Sequence, residues 1–77
     1  MSEDLSRYLW KGMDLERYSV VRIIPQDQKH AVIIMYSNEP NDSHWCLQYK
    51  GNGHYFDTFQ QLMEYYHSRR FKGLQSL

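Results

Sequence analysis

The segment from His44 to Tyr66 constrains the fold more than any other part of the chain. Its first part, His44 to Tyr49, has the composition of a strand, and the run Gly51-Asn52-Gly53 predicts a tight turn with a short return. Asp57 or Thr58 then supplies a helix N-cap. The apolar residues that follow have the i, i+3, i+4, i+7 spacing of one helical face: Phe59, Leu62, Met63 and Tyr66.

Two further apolar runs precede this segment and complete a small sheet. Tyr18 to Ile24 is rich in β-branched residues and ends at Pro25, and Ala31 to Tyr36 is apolar enough to be covered on both faces. The polar connection 26–29 has the length of a hairpin loop, so we expect these strands to pair antiparallel. With Ser43 to Tyr49 as a third strand, the predicted sheet is a meander.

The N-terminal residues predict a short helix before the sheet. Ser2-Glu3-Asp4 suits a helix start, and Gly12 breaks the helical pattern. The apolar residues between them lie on roughly one helical face: Leu5, Tyr8, Leu9 and Trp10. The order helix, three antiparallel strands, helix predicts an α+β domain with a helix on each side of the sheet. At 77 residues the chain has room for one domain, spanning 1–77.

Composition excludes several classes of function. Nine Lys and Arg balance nine Asp and Glu, so the chain lacks the positive excess expected of a general nucleic-acid-binding protein. No segment resembles a signal peptide or a membrane-spanning helix, so we expect a soluble, cytoplasmic protein with neither a nucleic-acid nor a membrane partner. The single cysteine and the histidines lack the paired spacings of zinc modules, so no metal or other cofactor is expected.

Arg22 stands inside the first apolar strand. Because side chains alternate along a strand, Arg22 is expected to share a face with Val20. A guanidinium is costly to bury alone, and its fork of donors matches a carboxylate or a phosphate. The sequence leaves two alternatives open: an ion pair with Asp27 or Asp42, or a site for an external anion.

Three motifs, in this order, resemble the Src homology 2 domain, a module that binds phosphotyrosine peptides. Ser19-Val20-Val21-Arg22 is similar to the Phe-Leu-Val-Arg motif that carries the family's phosphate-binding arginine. His44-Trp45-Cys46-Leu47 resembles the His-Tyr-Lys-Ile of its central strand. Phe56 to Tyr66, followed by Gly73-Leu74, resembles its second helix and the loop after it. The resemblance covers Tyr18 to Leu77, with a shortened hairpin after His44.

The resemblance implies a non-catalytic adaptor module of the reduced Src homology 2 type, which recognises a tyrosine-phosphorylated protein or peptide in signalling. Arg22 would anchor the phosphate, and His44 would border the phosphotyrosine ring. The residues implied in phosphotyrosine binding are Arg22, His44, Gln26, Gln28, Lys29 and Cys46. The residues implied in peptide specificity are Trp45, Tyr66 and Leu74.

Two alternatives accompany this resemblance. In the first, an interaction module of the same type has lost phosphate binding, because Ile24 and Pro25 stand where the family often places hydroxyl donors. In the second, His44 and Asp57 resemble the His and Asp of the adenain and ubiquitin-like-protease cysteine peptidases, in which the Asp orients the His and the His activates a cysteine. No cysteine follows Asp57, and along one strand face Cys46 lies about 6.5 Å from His44, too far for a thiol–imidazole bond.

Overall fold

A four-stranded antiparallel sheet with one α-helix forms the fold. The computed structural model of the protein describes residues 5–10 and 12–72. The elements are a 3₁₀ turn at Leu5–Tyr8, strands β1 (Ser19–Pro25), β2 (Ala31–Tyr36), β3 (Trp45–Tyr49) and β4 (Asn52–Phe56), and helix α1 (Phe59–Ser68). The strands lie in the order β1-β2-β3-β4. The α+β class and the antiparallel meander are therefore confirmed.

The sheet has a fourth strand where we expected about three. Lys50 and Gly51 have φ values of 50° and 80° and form the two-residue turn between β3 and β4. Because the turn falls there, Asn52 and Gly53 belong to β4 and extend the short return into a full strand. Gly53 has little room for a side chain, since a Cβ atom there would lie 2.7 Å from Nε2 of Gln48.

The N-terminal segment is not the predicted helix. Within the described residues it forms only the 3₁₀ turn Leu5–Tyr8, and the proposed start at Ser2-Glu3-Asp4 lies outside them. Two tyrosine hydroxyls hold the segment against the sheet: Tyr8 donates to the carbonyl of Asp27 at 3.2 Å, and Tyr18 donates to that of Ser43 at 2.6 Å. These long-range contacts override the local helical pattern. We expected a helix on each side of the sheet. The structure has a helix on one side and an irregular segment on the other.

The sheet separates two apolar clusters, which define its two faces. On the face covered by α1, called here the helix face, the buried residues are Ile24, Val32, Ile34, Leu47, Leu62 and Tyr66. On the opposite face, called here the N-terminal face, they are Tyr8, Tyr18, Ala31, Ile33, Met35 and Cys46. Consecutive residues of β2 alternate between the clusters, so β2 is covered on both faces, as its composition predicts.

Helix α1 begins and packs as its sequence predicts. Thr58 is the N-cap, and it forms a capping box with Gln61 in which each side chain accepts a backbone N–H of the other residue. Leu62 and Tyr66 are fully buried, whereas Phe59 at the start of the helix is 41% exposed. No helix in the described part of the chain is long and apolar enough to span a membrane.

Candidate functional site

A β-bulge places Arg22 on the helix face. Val20 pairs with Met35 and Arg22 pairs with Ile34, so Val21 has no partner on β2. The extra residue reverses the alternation of side chains, and Arg22 and Val20 lie on opposite faces. The expectation that they share a face is wrong for this reason.

The guanidinium of Arg22 is exposed and has no hydrogen-bond or ion-pair partner among the described residues. The two carboxylates that the sequence offers as partners are engaged elsewhere. Asp27 accepts the backbone N–H groups of Lys29 and His30 at 2.8 and 2.7 Å, and these bonds hold the pKa of that carboxyl below its usual range. Asp42 accepts the guanidinium of Arg17. The structure therefore presents Arg22 with its donors available.

Four rings follow one another on the helix face, and one of them lies next to Arg22. The ring centroids of Tyr36 and His44 are 5.9 Å apart, and the two rings are stacked. The Trp45 centroid lies 4.9 Å from that of Tyr36 and 4.8 Å from that of Phe59. We call Tyr36, His44, Trp45 and Phe59 the aromatic row. Tyr36 is two residues beyond Ile34 on β2, which places it diagonally next to Arg22 on the helix face. A free cation and a series of partly exposed rings thus adjoin on one surface.

His44 is held in one orientation and one tautomer. Its Nδ1 lies 2.9 Å from the carbonyl oxygen of Ser37. A carbonyl oxygen only accepts, so Nδ1 carries the hydrogen and the neutral ring keeps its lone pair at Nε2. Nε2 has no partner among the described residues. Nε2 is therefore the ring atom at which His44 can bond a ligand.

The three implied residues of the β1–β2 connection do not join Arg22. Pro25, where the connection begins, lies three positions after Arg22, a rise of about 10 Å along the strand. His44 lies at the other end of the sheet. Gln26 bonds the backbone of Lys72 with both ends of its carboxamide, at 2.9 and 2.8 Å. Gln28 and Lys29 are exposed at the rim of an open depression of about 360 Å³.

Cys46 and Tyr66 are interior residues, and Leu74 lies outside the described residues. Cys46 belongs to the N-terminal face, opposite Arg22, and accepts a hydrogen bond from Nε2 of Gln48 at 3.3 Å. Tyr66 is fully buried on the helix face, and its hydroxyl donates to the carbonyl of Lys72. The structure brings neither side chain to the surface that holds Arg22 and the aromatic row.

Comparisons with protein-family models, with curated proteins and with solved structures found no match to this chain.

The arrangement around His44 differs from that of a cysteine peptidase. Burial raises the pKa of the Cys46 thiol, which disfavours the nucleophilic thiolate. Nδ1 of His44, the nitrogen that an orienting carboxylate would bond, is occupied by the Ser37 carbonyl. Among the described residues, no group of three or more His, Cys, Asp or Glu side chains is placed to hold a metal ion.

Tyr36 and Phe59 complete the row, and the sequence did not single them out as binding residues. Tyr36 ends the apolar run of β2, and Phe59 begins the apolar stripe of α1, so both patterns assign them to the core. Their positions at the ends of these elements are the signal that distinguishes them. At such ends, burial is incomplete and a ring keeps an exposed part.

Proposed function

We propose that the protein is a non-catalytic peptide-recognition module of a reduced Src homology 2 type, which binds phosphotyrosine at Arg22 and the aromatic row. One observation carries the proposal: an exposed guanidinium without a partner among the described residues adjoins a row of partly exposed rings. A phosphate and a phenyl ring, joined as in phosphotyrosine, match these two features. The motifs around Arg22 and His44 support the same ligand.

The phosphate would be held mainly by Arg22. Its guanidinium donates two parallel hydrogen bonds to phosphate oxygens, and this charge-assisted interaction as a whole contributes about 1.5–3 kcal/mol. Nε2 of His44, the ring nitrogen not bonded to Ser37, is a further polar atom available to the ligand. The ligand ring would pack on Tyr36, and an aromatic pair of this kind adds about 0.5–1.5 kcal/mol beyond the area that it buries.

The peptide would leave the phosphotyrosine along the row and not towards the interior. Trp45 and Phe59 continue the surface from Tyr36 to the start of α1, and Phe59 is 41% exposed. Because Tyr66 is buried, a residue C-terminal to the phosphotyrosine would contact Phe59 in its place. A phosphotyrosine ligand and a free, buried cysteine both fit a cytoplasmic protein.

A module that binds unphosphorylated aromatic peptides is the second candidate. Ile24 is buried in the core, and Pro25 has no N–H, so neither adds a donor next to Arg22. The anion would then depend on one arginine and one histidine. The aromatic row alone would still bury an apolar peptide side chain.

Calorimetric titration with a matched pair of peptides, one carrying tyrosine and the other phosphotyrosine, tests the proposal. We expect the phosphorylated peptide to bind at least about 10-fold more tightly, which corresponds to about 1.4 kcal/mol. Equal affinity for both peptides, with loss of binding in Trp45→Ala, would establish the second candidate. Binding of neither peptide would contradict both.

A further inference from the structure

Most charged side chains of the described residues lie at one of the two ends of the sheet, and Arg22 within β1 and Glu64 within α1 are exceptions. One end consists of the β1–β2 connection, the β3–β4 turn and residues 69–72 after α1. Bonds of Gln26 to the backbone of Lys72 and a contact of 4.9 Å between the Tyr49 and Phe71 rings hold these segments together. We call this the basic end. Its exposed cations are Lys29, Lys50, Arg69, Arg70 and Lys72.

None of these cations has an ion-pair partner among the described residues. Asp27 is the only described acidic side chain there, and it already accepts the N–H groups of Lys29 and His30. The other end of the sheet carries the opposite sign, with Arg17 as its one described cation. Its acidic residues are Asp14, Glu16, Glu39, Asp42 and Asp57.

This segregation removes the main objection to a polyanionic partner. A formal net charge of zero argues against nucleic-acid binding only if the charges are evenly spread over the surface. Among the described residues, five cations and one carboxylate lie at the basic end, and five carboxylates and one cation lie at the other end. A polyanion that approaches the basic end meets a local positive excess within about one Debye length, which is about 8 Å at physiological salt.

Partly exposed rings lie between these cations. The His30 and Tyr49 ring centroids are 6.2 Å apart, the Tyr49 ring contacts Phe71, and Nζ of Lys50 lies 5.4 Å from the Tyr49 centroid. Cations interleaved with rings are typical of surfaces that bind single-stranded nucleic acid, because the cations take the phosphates and the rings stack on the bases.

We propose that the basic end binds single-stranded nucleic acid, on a surface separate from Arg22 and the aromatic row. A lipid bilayer fits less well, because a membrane surface favours apolar side chains that insert. The large apolar side chains that are exposed, among the described residues, all lie away from the basic end: Leu15, Val20, Val21, Tyr55 and Phe59. A duplex fits less well too, because its bases are stacked on each other and offer the rings no free face.

Fluorescence anisotropy with a labelled oligothymidylate of about 20 nucleotides tests the proposal. Neutralisation of about five phosphates predicts that affinity falls roughly 100-fold between about 50 and 200 mM salt. The same chain should bind the single strand more tightly than a duplex of equal length, and inorganic polyphosphate should compete poorly because it has no bases. Vesicles rich in phosphatidylserine should not bind.

A pair of charge-matched variants locates the surface. Lys50→Gln with Lys72→Gln removes two positive charges from the basic end, and it should lower the slope of log affinity against log salt by about 1.4. Asn38→Asp with Asn41→Asp changes the net charge equally at exposed sites of the other end, and it should leave the slope unchanged. Equal losses in both variants, binding of the duplex as tightly as the strand, vesicle binding, or no binding at all would each overturn the proposal.

Discussion

Arg22 and Cys46 lie on opposite faces of the sheet, although both stand at motif positions that the resemblance assigns to one phosphate site. Arg22 pairs with Ile34 on the helix face, and Cys46 pairs with Met35 and Tyr55 in the cluster of the N-terminal face. The bulge at Val21 separates them. A phosphate at Arg22 therefore meets the aromatic row and not the thiol.

The helix cap provides a direct test of the local structure. Thr58→Ala removes the side chain that accepts the Gln61 N–H, and the free energy of unfolding should fall by about 1 kcal/mol. Asp57 lies one residue earlier, outside the capping box, so Asp57→Ala should cost no more than a few tenths of a kcal/mol. Urea unfolding of both variants measures the difference. A larger loss in Asp57→Ala would show that Asp57 is the cap in solution.

The Arg17–Asp42 pair should stabilise the fold mainly through its carboxylate. The Asp42 side chain is only 8% exposed, whereas that of Arg17 is 57% exposed. Asp42 also accepts the hydroxyl of Ser37, a fully buried residue, at 3.0 Å. Asp42→Ala should therefore lower the free energy of unfolding by about 2 kcal/mol, and Arg17→Ala by less than about 1 kcal/mol. Equal losses in urea unfolding would contradict this assignment.

Alkaline pH should destabilise the protein through its buried thiol. Burial is the largest cause that raises the pKa of Cys46, and it also raises the pKa of Tyr18 and Tyr55. The protonated thiol stabilises the folded state fully at pH values below the thiol's pKa in the unfolded chain, about 8.5. This stabilisation is lost as the pH rises towards the higher pKa of the thiol in the folded protein. The free energy of unfolding should then fall by at most about 1.4 kcal/mol per pH unit for this group.

Unfolding curves at pH values from about 8 to 9.5 measure this effect, because free tyrosines titrate near pH 10, above that window. Cys46→Ala serves as the control. It should be less stable at neutral pH, because it leaves a small cavity, but its stability should change little across the window. An unchanged slope in Cys46→Ala would assign the pH dependence to other groups.

The parts of the fold that follow from local patterns were predictable. β2 is an uninterrupted apolar run, and a strand of that kind has to be covered on both faces. The N-cap directly precedes the apolar stripe of α1, so the sequence predicted the start of the helix to within about one residue. The prediction of an N-terminal helix was wrong, because the hydroxyl contacts of Tyr8 and Tyr18 involve partners that are distant in the chain.

The site depended on features that no periodic pattern encodes. The bulge at Val21 changes the face of Arg22, and neither strand composition nor a motif match indicates where a bulge falls. The apolar stripe of α1 already assigns Tyr66 to the buried face, and it was the motif match that assigned it to the peptide surface. The basic end could not be predicted without knowledge of the sheet topology, because its cations come from three segments that are distant in the chain.

The central claim is that Arg22 is the phosphate anchor. The most direct measurement is the affinity of one phosphotyrosine peptide for the native chain, for Arg22→Gln and for Arg7→Gln, by calorimetry at constant salt. Arg7→Gln is the control because it changes the net charge by the same amount as Arg22→Gln. Arg7 contacts Tyr8, whose side chain belongs to the N-terminal face. We predict that Arg22→Gln weakens binding by about 10- to 100-fold, the loss of one charge-assisted interaction, and abolishes the preference for the phosphorylated peptide. Arg7→Gln should bind as the native chain does. An undiminished preference for the phosphorylated peptide in Arg22→Gln would contradict the claim.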